Sequence, residues 1–160
     1  MIFLQNAIQR AIKAIRSGRT TFPSDLADQV DGLLNDHQPD GERRCAFHGC
    51  DDAWPCSVIK NMYLFACTVD PSVISPYYGI YKATDVIRRG LLPDFLPSLA
   101  DTLDEMAAEH VQLERGERRC ARCGDAWPCD VINQTYQFAR TVVPTLPRLD
   151  EVTGRQMRGG

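Results

Sequence analysis

Six of the seven cysteines and two of the three histidines fall into two groups with the same order of side chains. The first group is His37, Cys45, Cys50 and Cys56; the second is His110, Cys120, Cys123 and Cys129. Three thiols and one imidazole form a familiar donor set for tetrahedral Zn²⁺, whose structural sites often take two ligands from a short Cys-x₂₋₄-Cys knuckle. Here the knuckles read C-x₄-C and C-x₂-C, and a C-x₅-C follows in both groups. The odd cysteine count excludes complete internal pairing, and the start MIFLQNAIQRAIKAIR reads as an amphipathic helix instead of a secretory leader. The thiols are therefore expected to be reduced, in a cytoplasmic protein with two Zn²⁺ per chain.

The first group offers a competing donor. His48 stands at C-x₂-H from Cys45 and matches Cys123 counted forward, whereas Cys50 matches Cys123 counted back from Trp54-Pro55-Cys56. Cys50 is the expected ligand because it keeps C-x₅-C. Cys67, aligned with Arg140, is expected to be a packing residue.

A catalytic zinc keeps one coordination position for water, but each group already supplies four ligands. Nucleobase deaminases need His-x-Glu before their cysteines, and neither His37-Gln38-Pro39 nor His110-Val111-Gln112 provides it. Glu109 and Glu117, with counterparts Asp36 and Glu42, read as solvated acids. The expectation is a protein that is not an enzyme. Arg43-Arg44 and Arg118-Arg119 directly precede the knuckles. Zn²⁺ with three thiolates carries a net charge of about −1, so these guanidinium groups suit charge compensation. Contact with nucleic-acid phosphates is the alternative use.

The elements that must position these ligands occur twice. GERRCAFHGCDDAWPCSVIKNMYLFACTVDP (41–71) and GERRCARCGDAWPCDVINQTYQFARTVVP (116–144) share most of their landmarks. The likeness extends upstream: Leu26–His37 aligns with Leu99–His110, and Ala14-Ile15-Arg16 answers Val86-Ile87-Arg88. This is a tandem duplication of a unit of about 70 residues. Each unit reads as helix, helix, cysteine loop, helix. Ile8, Ala11, Ile12 and Ile15 make the first stripe. The second helix, with Asp25 or Ser98 as N-cap, carries Leu26, Val30, Leu33 and His37, or Leu99, Leu103, Met106 and His110. The third starts at the Trp-Pro-Cys, with Val58, Met62, Phe65 and Val69 against Val131, Thr135, Phe138 and Val142. The fold class is therefore all-α: two tandem zinc-stapled helical hairpins packed as a pseudo-symmetric helical body. Residues 1–76 and 77–147 form the repeats, 70–82 the connector, and 148–160 a polar, frayed tail.

The pattern helix–His–CxxC–(W/Y)PC–helix resembles small uncharacterised zinc-binding proteins of actinobacteria and their phages. His110, Cys120, Cys123 and Trp127-Pro128-Cys129 carry the likeness, as do His37, Cys45, Cys50 and Trp54-Pro55-Cys56. Cys120-x₂-Cys123-x₅-Cys129 also resembles the four-iron cluster motif of WhiB-like regulators, but their separate upstream cysteine is absent. No apolar run approaches the roughly 18 residues of a membrane helix, and the net charge of −3 makes no basic arm. The expected function is a protein-binding, regulatory zinc module. A nucleic-acid-binding regulator using Arg43, Arg44, Arg118 and Arg119 is the alternative.

Overall fold

The computed structural model of the chain describes residues 2–50, 52–113 and 118–158, and every regular element among them is helical. The chain divides into two compact units, Met1–Val73 and Ile74–Gly160.

The first unit holds α1 (Ile2–Arg16), α2 (Ser24–Asp36), α3 (Ser57–Val69) and a 3₁₀ turn at Pro71–Val73. Leu4, Ile8, Ala11, Ile12 and Ile15 on α1 are buried at helical spacing. Each fully buried Leu or Ile contributes about 1.5–3 kcal/mol. Helix α1 lies along both α2 and α3, which touch each other much less. The centre of the unit is thus α1, and the cysteine loop ties α2 to α3 at one end.

The second unit repeats that order with α4 (Pro76–Arg88), α5 (Pro97–Glu109) and α6 (Asp130–Val142), and adds α7 (Leu149–Arg158) against α4 and α6. Helix α4 packs on α5 and α6. One ionic clamp recurs. Arg16 reaches Asp28 and Asp31 at 2.9 and 3.3 Å, and Arg88 reaches Asp101 and Asp104 at 2.9 and 2.5 Å. These pairs are half-exposed and worth at most about 1 kcal/mol each, so they orient the helices more than they hold them.

Four expectations need correction. Pro76 and Gly79 do not lie in a connector: Pro76 sits in the first turn of α4, where its missing N–H costs nothing, and Gly79 is buried inside that helix. The second helices start earlier than expected. Pro23 and Leu96 occupy the N-cap positions, so Asp25 and Ser98 lie in the first turn. Their buried faces are Ala27, Val30 and Leu34, and Ala100, Leu103 and Ala107, which turns Leu33 and Met106 toward solvent. Finally, residues 149–158 are helical. Val152 is fully buried, and Asp150 and Glu151 in the first turn suit the helix dipole. The polar composition of this segment concealed a short helix that buries Val152.

Candidate metal centres

Each ligand comes from the edge of an element, and local backbone chemistry sets it there. His37 and His110 are the C-caps of α2 and α5, with near-identical backbones (φ −99°, ψ 74° and φ −100°, ψ 78°). Their N–H groups still donate to Leu33 and Met106, so each ring leaves the helix at its last turn. Cys56 and Cys129 are the N-caps of α3 and α6, so each sulfur sits at the start of a helix. The helices begin after these cysteines, and Pro55 and Pro128 lie outside them, each in a cis Trp-Pro bond.

The remaining ligands sit on a small ribbon. In the first unit the Cys45 N–H donates to Asp52, Ala46 to Gln38, and Trp54 to Arg43. In the second the Cys120 N–H donates to Asp125, Ala121 to Val111, and Trp127 to Arg118. Gly124 holds φ at 75°, directly after Cys123, and a side chain there would strain the knuckle. The backbones of Arg44 and Arg119 bridge to Ala53 and Ala126, while the side chains of Arg43, Arg44, Arg118 and Arg119 are exposed. The Arg119 guanidinium meets the Gly124 carbonyl at 3.5 Å. Among the described residues, no carboxylate lies within ion-pair range of Arg43, Arg44 or Arg118.

The ligand atoms converge. His37, Cys45, Cys50 and Cys56 offer donor atoms within 4.8 Å of one another, as do His110, Cys120, Cys123 and Cys129. His37 Nδ1 lies 3.3 Å from Cys45 Sγ and 3.5 Å from Cys56 Sγ. His110 Nδ1 lies 3.5 Å from both Cys120 Sγ and Cys129 Sγ. A tetrahedral Zn²⁺ with bonds of about 2.0 Å to nitrogen and 2.3 Å to sulfur sets its ligands roughly 3.5–3.8 Å apart. The two tetrads suit such an ion. His48 is not a member of the first tetrad, which Cys50 completes. Cys67 is buried in α3 and belongs to neither cluster, as a packing residue.

The surroundings differ between the sites. His37 is 5% exposed and stacks on Phe47, with ring centroids 4.5 Å apart. Cys50 is half-buried, whereas Cys123 is exposed. Burial pushes the Cys56 thiol up to about 12, against an opposing Ile59 amide. A cation among the sulfurs is what makes such a thiol a thiolate at neutral pH, so metal binding releases protons.

Two supporting residues carried no sequence signal. Tyr77 on α4 donates its hydroxyl to the His110 carbonyl at 3.1 Å and lies 6.0 Å from the Trp127 ring. Gln5, at the corresponding place on α1, donates to the Gln38 side chain at 2.8 Å, next to His37. The first helix of each unit thereby braces the histidine cap. A different residue type does so in each copy, so neither position stands out from the repeat. Glu109 is exposed, in keeping with a solvated acid, and Glu117 lies outside the described residues.

Two outcomes are expected. Cys50→Ser should release one of two ions, counted by mass spectrometry under native conditions, while His48→Ala keeps both; the reverse would make His48 the ligand. A mild chelator should remove one ion well before the other, and the faster loss should vanish in a Cys123→Ser protein that already lacks the second ion. Equal release rates would contradict the difference in exposure.

Comparison with known proteins returns no matching family model, no similar curated protein and no similar solved structure.

Proposed function

We propose that this chain is a non-enzymatic, zinc-stapled helical protein that carries two structural Zn²⁺ ions and acts as a regulatory module by binding another protein. The observation that supports this is the pair of tetrads, each closed by four protein ligands at the junction of two helices. A closed donor set leaves no position for a reactive water, which favours a structural ion over a catalytic one. The reduced thiols that the ion requires favour a cytoplasmic setting. Kinship with the small zinc proteins of actinobacteria and their phages belongs to the same proposal, resting on the histidine, the knuckle and the Trp-Pro-Cys. The test is native mass spectrometry of protein purified without chelator. Two zinc ions per chain are expected; one ion, or a brown protein that carries iron and sulfide in place of zinc, would overturn the reading.

Exposed Arg43, Arg44 and Arg118, with no carboxylate partner among the described residues, favour a second reading in which the knuckles meet nucleic-acid phosphates. Binding to duplex DNA at rising salt decides it. Contacts to Z phosphates give a logarithmic slope of about −0.9Z, and an absence of salt-dependent binding removes this reading.

A further inference from the structure

Helices α2 and α3 both lean on α1 and meet each other little, and a seam of apolar side chains at their edges stays partly exposed. Phe22 (38% exposed) and Leu33 (42%) border it, with half-buried Leu26 and Phe65; the Phe22 and Phe65 rings meet edge to face at 5.2 Å. The second unit repeats the seam between α5 and α6. Met106 is 38% exposed beside half-buried Phe95, Leu99 and Phe138, with Phe95 and Phe138 edge to face at 5.7 Å. Leu91 and Leu96, 64% and 72% exposed, flank Phe95 in the chain. A single exposed leucine needs no explanation, but the same open apolar set at matching places in both units does.

The helix on one side of each seam is charged with a single sign, while α3 and α6 on the other side carry one basic residue each, Lys60 and Arg140. Helix α2 carries Asp25, Asp28, Asp31 and Asp36, and α5 carries Asp101, Asp104, Glu105 and Glu109, with no basic residue on either. Arg16 and Arg88 neutralise the carboxylates that face α1 and α4. Asp25, Asp36, Glu105 and Glu109 have no ion-pair partner among the described residues. Asp36 and Glu109 lie three residues beyond Leu33 and Met106, hence on the same helix face one turn away.

We infer that each seam is a docking groove for a basic amphipathic helix of a partner protein. Apolar anchors at i, i+3/i+4 and i+7 would fill the space between Phe22, Leu33 and Phe65, or Phe95, Met106 and Phe138, and flanking Lys or Arg would meet the unpaired acids. A second copy of this chain is a poorer occupant, because its own seam helices are equally acidic and would repel. The inference rests on the protein-binding reading above, and zinc content reports on the metal separately from binding at the seam.

The probe is a synthetic amphipathic peptide of Leu and Lys, titrated into the full-length, zinc-loaded chain by fluorescence anisotropy. Its control has the same composition in an order that cannot form an apolar face. Saturable binding is expected, weakened by salt, and about tenfold or more tighter than the control. Leu33→Glu combined with Met106→Glu should weaken it by about tenfold or more while zinc content and helicity stay unchanged, since both side chains are partly exposed and the Thr135 hydroxyl that meets the Met106 sulfur also donates to the Val131 carbonyl. Charge-only variants, Asp25→Asn and Glu105→Gln, should flatten the salt dependence. Failure to bind, equal binding of the control, or full binding by the double Glu variant would overturn the proposal. So would a concentration-dependent dimer that the double Glu variant abolishes, which would assign the seam to a second copy.

Discussion

Stripping the metal with a strong chelator is expected to remove most of the helical circular-dichroism signal at 25 °C and to abolish a cooperative melt. The reason is magnitude. Structural zinc supplies on the order of 10 kcal/mol of apparent binding energy in small modules, whereas a whole domain is stable by only about 5–15 kcal/mol. Each unit has a core of three or four helices in which α2 and α3, or α5 and α6, hold each other weakly without the loop between them. Without a cation, three thiols and an imidazole remain packed within 4.8 Å at each junction, with no charge to organise them. Readdition of Zn²⁺ should restore the helices. Metal binding should weaken as pH falls, because protons compete for the thiolates. Full helicity and an unchanged melting point after complete metal removal would contradict the structural role and reopen a catalytic one.

The second large effect is expected far from the metal. Gly79→Ala should destabilise the second unit by about 2 kcal/mol net, although alanine favours a helix by about 1 kcal/mol over glycine, because overpacking a rigid core commonly costs more. A Cβ at Gly79 would press on the Tyr136 ring and lie 3.1 Å from Leu146 Cδ1. Tyr136 is fully buried and its hydroxyl donates to the Pro147 carbonyl at 2.5 Å, so the ring has nowhere to retreat. Gly79→Val should cost about 3 kcal/mol or more. Thermal denaturation of zinc-loaded protein checks this, at roughly 2–4 °C per kcal/mol for a chain of this size. A melting point that rises in Gly79→Ala would show that α4 and α6 pack less closely than described.

Gly79 also illustrates what the sequence conceals. Proline and glycine read as a connector at 70–82, yet Pro76 opens α4 and Gly79 lies against the Tyr136 ring on α6. Composition alone cannot separate a glycine that breaks a helix from one that lets two elements touch. The same blindness hid α7, which buries Val152 within a polar stretch. By contrast, α1 was legible from its isoleucine stripe, and the ligand tetrads from residue type and spacing, because coordination chemistry restricts both far more tightly than packing does. The register of the second helices was less legible. Leu33-Leu34 and Met106-Ala107 each offer two apolar neighbours, and only tertiary contact with α1 or α4 decides which one turns inward. Tyr77 and Gln5 were invisible for a further reason: one bonds the His110 carbonyl and the other the Gln38 side chain beside His37, so the two positions share no residue type.

If each unit is closed by one zinc ion held by three cysteines and one histidine, zinc X-ray absorption on the protein as purified should show it. The expected coordination averages three sulfurs at about 2.3 Å and one nitrogen at about 2.0 Å per zinc, with no oxygen. A first shell containing a water oxygen, two sulfurs with two nitrogens, or iron in place of zinc would contradict it.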